Sequence, residues 1–186
     1  LHLNYDVSPD ISILGKTLGN GFAITAVLGS KPVMLASQAT FISSTFFTER
    51  LGFVAALATL DIMESTQSWN VISKKGRVFK DRIKLAAEKY DLKIDVSGMD
   101  ALVSYNIDLP SKLEAKTFVT QEMLGEGFLA GNLFYPSVAH SDKDIEDFFL
   151  SFNNVLEKLK KITLSGEDIS SYLKGPLCHA TFERLN

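Results

Sequence analysis

Apolar residues recur along this chain with two different periods. Ile11-Ser12-Ile13-Leu14 is a short apolar run closed by Gly15, and residues 24–28 form another, ended by Gly29-Ser30 and Pro32. Short apolar runs bounded by turn residues predict buried strands. Gly19-Asn20-Gly21 predicts a turn between them. Ser43, Ser44 and Thr45 precede a stretch from Leu51 through Val54, Leu57, Leu60 and Met63 that is apolar almost all round. That pattern predicts a long helix buried between layers. After Trp69 the apolar positions narrow to a stripe, Ile72, Phe79, Ile83, Ala86 and Tyr90, with Lys and Arg between them. One buried face on a solvated helix is expected there.

The pattern changes near Asp91. Residues 92–96 and 101–109 read as strands around a Ser97-Gly98 turn, and Ser111 followed by Glu114 matches a capping box that opens a helix. Gly125, Gly127 and Gly131 end that helix, and Leu133-Phe134-Tyr135 is a short strand stopped by Pro136. Ser141 and Asp144 form a second capping-box match. The helix they start carries Ile145, Phe148, Phe149, Phe152, Val155, Leu156 and Leu159 on one face, with acidic first turns. Lys158, Lys160 and Lys161 are read as its last turn, complementing the helix dipole. Residues 165–186 are expected to form a short helix and an irregular end. The chain thus divides into residues 1–90, part of a larger α/β domain with its connecting helix, and residues 91–186, a small α+β domain. Two strands do not make a stable sheet, and the sequence opens at Leu1 inside what reads as ordered structure. It is therefore read as a partial chain.

Composition narrows the function classes. With 46% hydrophobic and 22% charged residues the chain is globular, and a net charge of -3 argues against a broad nucleic-acid footprint. No apolar run is long enough to span a bilayer, so no membrane partner is expected. Cys178 is the single cysteine, which rules out a disulfide within the chain and makes a reducing, cytoplasmic setting the expectation. Cys178-His179 hints at a metal, but one cysteine and three scattered histidines supply no ligand set of the usual spacing, so no metal site is expected. Neither a P-loop nor a dinucleotide-binding fingerprint is present.

The candidate chemistry starts at Lys16, in PDISILGKTLGNGFAITAVLGS. A lysine between two apolar runs either reaches solvent from a strand end or places its amine in a site for covalent chemistry. Downstream, in FISSTFFTERLGFVAALATLDIME, Ser44 or Thr45 either caps the helix or, with backbone amides at a helix N-terminus, suits a phosphate.

These stretches, with AGNLFYPSVAHSDKDIEDF near the end, resemble the C-terminal half of a class III aminotransferase. Those are fold-type I enzymes that use pyridoxal 5'-phosphate (PLP), and the branch most resembled is the glutamate-1-semialdehyde aminomutase-like group. The resemblance implies that Lys16 is the Schiff-base lysine, with Gly19 and Gly21 turning the chain beneath the cofactor. It implies that Thr45, beside Ser44, binds the PLP phosphate of the neighbouring subunit in a homodimer. Many members continue with Gly-Asn-Pro after that threonine; here Phe47-Thr48-Glu49-Arg50 follows. Arg50 is then either a partner for a substrate carboxylate or a structural neighbour of Glu49. His140 falls in the family's Ala-His segment and is read as a packing and hydrogen-bonding residue. Asn132 stands close to the substrate, where true aminomutases carry a glutamate, which leans the reading towards an aminotransferase.

The family's phosphate loop, ring-stacking aromatic and pyridine-binding aspartate all precede the lysine, and His2-Leu3-Asn4-Tyr5 matches the segment after that aspartate. The implied activity is amino transfer between an amino acid and an aldehyde or keto substrate. The alternatives are intramolecular transfer by an aminomutase, and a non-catalytic interaction module of the same fold.

Overall fold

The computed structural model describes residues 5–180. Residues 1–4, which hold most of the His2-Leu3-Asn4-Tyr5 stretch, and residues 181–186 lie outside the described residues. The chain forms two compact units that divide between Ser68 and Trp69.

In the N-terminal unit, strands β1 (Ile11–Leu14) and β2 (Ala26–Gly29) pair antiparallel, with Ile11 opposite Gly29 and Leu14 opposite Ala26. A turn of 3-10 helix at Lys16–Leu18 follows β1, and a short helix α1 (Lys31–Ala36), with Pro32 in its first turn, follows β2. Helix α2 (Leu51–Thr66) closes the unit, its Gly52 buried against Ile24. The strands are where the apolar runs place them, but they are not buried: Ile13 is 75% exposed and Val27 52%. Nor is α2 buried between layers, since Leu51, Val54, Leu57 and Leu60 are all exposed. Ala56 is the one hydrophobic residue of this unit that is buried among the described residues. The apolar pattern is present, but the small sheet, the 3-10 turns and short α1 leave most of it uncovered among the described residues.

The C-terminal unit has a core of its own. Helix α3 (Ser68–Lys89) leads into β3 (Ile94–Met99) and β4 (Leu102–Ile107), then α4 (Lys112–Gly125), β5 (Leu133–Phe134) and α5 (Asp142–Ser165). The sheet order is β3-β4-β5, all antiparallel, with Ile94 opposite Ile107 and Val103 opposite Phe134. The predicted stripes of α3 and α5 form the core: Phe79, Ile83 and Ala86 meet Phe149, Phe152, Val155, Leu156 and Leu159, joined by Val103 and Tyr105 from β4 and Phe118 and Met123 from α4. Burying each large side chain of this set contributes about 1.5–3 kcal/mol. Because α3 packs into this core, the packing boundary falls ahead of α3, whereas the change of sequence pattern at Asp91 marks its end.

Three local expectations differ from the structure. Ser97-Gly98 lies inside β3, paired with Ser104 and Val103, and the strands reverse after Met99 instead. Ser111 makes no side-chain cap on α4, whereas the Ser141–Asp144 capping box is formed in both directions. Helix α5 runs on to Ser165, so the lysine cluster is not its last turn. Lys158, Lys160 and Lys161 instead pair with Glu122, Asp91 and Glu157. No helix of the described residues is long and apolar enough to cross a membrane.

Candidate active site

Lys16 directly follows Gly15 at the end of β1 and opens the 3-10 turn with a left-handed backbone, φ 48°. A lysine in that region carries a steric cost of roughly 1–2 kcal/mol that the surrounding turn must offset. Its side chain is exposed, and its amine has no hydrogen bond or ion pair among the described residues. The chain then doubles back tightly: Leu18 donates to the Gly15 carbonyl and Phe22 to that of Gly19, each at 3.1 Å. At Gly19 a Cβ would lie 2.2 Å from the Phe22 carbonyl oxygen and 2.7 Å from Ile24 Cγ2, so only glycine fits. This turn forms a shallow cavity of about 360 Å³ lined by Lys16, Phe22, Ala23, Ile24 and Thr25.

Ser44, Thr45 and Arg50 do not line that cavity. Ser44 Oγ accepts the Phe46 N–H at 3.2 Å, and the exposed Thr45 hydroxyl has no partner among the described residues. Neither caps α2. The Glu49 carboxylate does so, accepting the Leu51 N–H at 2.9 Å and the Gly52 N–H at 3.3 Å. An acidic cap also suits the positive end of the helix dipole. Glu49 is thereby occupied, and Arg50 forms no ion pair with it; its guanidinium is exposed and unpaired among the described residues.

Asn132 belongs to the C-terminal unit. Its carbonyl accepts the Tyr105 N–H at 3.0 Å and its Nδ2 donates to Asn106 Oδ1 at 3.2 Å. Tyr105 is buried, which pushes its phenol up, and its hydroxyl donates to the Gly131 carbonyl at 2.8 Å. Asn132 lines a cavity of about 420 Å³ together with Asn106, Thr120, Asp95, Lys112 and Lys116. The two lysines went unnoticed in the sequence, although their spacing of four on α4 places them on one face. Lys112 is shared with Asp108, which also receives Lys93 at 2.5 Å; hydrogen bonds from both ammonium groups hold that carboxyl at about 2. His140 is a hydrogen-bonding and packing residue, as expected: its Nδ1 accepts the Ser137 N–H at 3.0 Å and its ring lies against Phe134 with centroids 5.2 Å apart. Near the end, Cys178 donates its N–H to Thr117 Oγ1 at 3.0 Å, and among the described residues no group of three or more His, Cys, Asp or Glu is placed to hold a metal.

The mixed α/β fold of this chain has a counterpart among solved structures. The PLP internal aldimine form of the FumI protein of Sphingopyxis sp. MTA144 matches with a TM-score of 0.80, over 88% of this chain and 40% of that one, at 19% identity. The fold is thus that of the fold-type I PLP-dependent transferases. The Aminotransferase class-III family model matches residues 1–156, and the chain belongs to that family. Its relatives include 3-aminobutyryl-CoA aminotransferase of Cloacimonas acidaminovorans, 27% identical over 85% of this chain, and glutamate-1-semialdehyde 2,1-aminomutase 1 of Staphylococcus carnosus, 27% identical over 83%. The chain spans about 40% of the length of both.

Proposed function

We propose that this chain is the C-terminal part of a PLP-dependent aminotransferase that moves an amino group between an amino acid and an aldehyde or keto substrate. The observation that carries the proposal is the exposed amine of Lys16, unpartnered among the described residues, at the start of a turn that only Gly19 fits. The residues present suit the cofactor's aldehyde, because a primary amine condenses reversibly with an aldehyde and no other side chain does so. When bound, PLP supplies the electron sink for chemistry at the substrate's Cα. Lys16 would hold the cofactor and would carry the proton at the substrate's Cα. The Thr45 hydroxyl, with Ser44 beside it, is assigned to the cofactor phosphate of a neighbouring subunit; its lack of any partner among the described residues supports that role.

A homodimer belongs to the same proposal. The uncovered apolar side chains of α2 support it. Residues 1–90 are assigned to the PLP-binding large domain and residues 91–186 to the small domain. Arg50, unpaired among the described residues, is assigned to a substrate carboxylate, and Asn132 to the substrate side of the small domain. A cytoplasmic setting is included on the ground that the single cysteine permits no internal disulfide.

A second reading, the aminomutase-like branch, has support of its own: aminomutases from several bacteria stand at 26–27% identity, level with the aminotransferases. Asn132, where aminomutases carry a glutamate, favours the aminotransferase. The test is to load the complete protein with PLP, reduce it with borohydride and map the modified peptide. Label on Lys16 is expected, and label confined to other lysines overturns the assignment. Dependence on an external amino donor separates the two activities, and a protein that neither binds PLP nor is labelled is the non-catalytic interaction module.

A further inference from the structure

Lys75, on α3, donates to three carbonyl oxygens of a single turn: Ser137 at 3.2 Å, Val138 at 3.2 Å, and His140 at shorter range. An ammonium group has three donors, and here each meets an acceptor. The turn is otherwise tied within itself. The His140 N–H donates to the Ser137 carbonyl at 3.2 Å, the Ala139 N–H to Ser137 Oγ at 3.2 Å, and the Ser137 N–H to His140 Nδ1 at 3.0 Å. Ser141, the next residue, caps α5. A cation beside a helix N-terminus has the wrong sign for the helix dipole. The convergent carbonyl oxygens must therefore hold it, in the manner of an ion's coordination sphere.

We propose that residues 137–140 form a carbonyl cradle specific for a primary ammonium ion, which the chain fills with its own Lys75. Lys75 is then a positioning residue. By drawing three carbonyls to one point it fixes the turn, and the turn's Ser137 N–H on Nδ1 keeps the His140 proton on Nε2. That sets the ring against Phe134, on the wall of an aromatic cavity of about 380 Å³ that Phe79, Phe128 and Phe148 also line. An open cavity of about 490 Å³, bounded by Lys75, Val71, Ser141 and Asp142, gives a small ion access to the cradle from outside.

The test is chemical rescue of K75A in the complete protein. The substitution removes three methylene carbons and the ammonium nitrogen, the composition of n-propylammonium. Nitrogen NMR is recorded at a pH well above the ordinary histidine range. In the wild type, His140 should show the two well-separated ring signals of a single tautomer. In K75A those signals are expected to move together and the amide signals of residues 137–140 to shift, with n-propylammonium restoring both and tetramethylammonium, which has no N–H, restoring neither. In K75M, where the thioether side chain occupies the space of the lysine stem, propylammonium should have no effect. Wild-type signals in untreated K75A, or equal rescue by tetramethylammonium, overturn the proposal. If K75A is recovered unfolded, refolding reads the same point: recovery with propylammonium alone supports the cradle, and failure to recover with it overturns it.

Discussion

Gly76→Ala is the substitution whose sign the tertiary structure decides against local expectation. Inside a helix, alanine is favoured over glycine by about 1 kcal/mol, so helix propensity alone predicts that α3 gains. The structure predicts a loss. A Cβ on Gly76 would lie 1.7 Å from the Asp100 carbonyl oxygen and 2.6 Å from its carbon. Carbon–oxygen contacts rarely fall below about 3.3 Å, so helix and turn must separate by about 1.6 Å. The obstacle is backbone, which cannot rotate away as a side chain would. The same separation strains the ties from α3 to that turn and the end of β3: Lys80 to the Gly98 carbonyl at 2.7 Å, Lys80 to Asp100 at 3.0 Å and Arg77 to Asp100 at 2.9 Å. Overpacking of this kind costs about 1–3 kcal/mol, and the Lys80 bonds raise it toward the upper end. After the propensity gain is subtracted, a net loss of about 2 kcal/mol remains. With a urea slope of about 2 kcal/mol/M, the unfolding midpoint of the C-terminal unit should fall by about 1 M. Gly125→Ala is the control, because that glycine ends α4 with nothing within 4 Å of a Cβ; its midpoint should stay level or rise. A G76A midpoint at or above wild type would refute the close approach of α3 to the turn.

Three further outcomes are expected. Thr45→Ala in the complete protein should weaken PLP binding about tenfold to a hundredfold, the value of a charge-assisted hydrogen bond of about 1.5–3 kcal/mol; an unchanged absorbance titration removes Thr45 from the phosphate site. Hydrogen bonds from Lys93 and Lys112 lower Asp108 from 3.8 to about 2, so its stabilising contribution is full above pH 3.8 and is lost as pH falls towards about 2. Asp108→Asn should therefore show a stability deficit that fades through that window, and a deficit independent of pH contradicts the pairing. Ser141→Ala removes the formed capping box and should cost about 1 kcal/mol in urea unfolding, whereas Ser111→Ala, at a position with no side-chain cap bond, should be close to neutral.

Features that depend on near neighbours were legible without the fold. The stripe Phe79, Ile83 and Ala86 and the face Ile145, Phe149, Phe152 and Leu156 face the core because a 3.6-residue period places them on one side of a helix. The Ser141–Asp144 box and the glycine turn after Lys16 likewise depend on atoms a few residues apart. Where several local solutions compete, only the fold chose among them. Glu49 rather than Ser44 or Thr45 caps α2, and the β3–β4 reversal passes over Ser97-Gly98 because the cross-strand register carries β3 on to Met99. Burial was not legible either. Periodicity shows which side chains are apolar but not what covers them, and so α2, apolar on every side, has most of its large side chains exposed within this chain. Lys75 is the furthest case: its three acceptors lie 62 to 65 residues away. No local pattern encodes a contact at that separation, because it exists only once α3 and the turn before α5 have packed into the same unit.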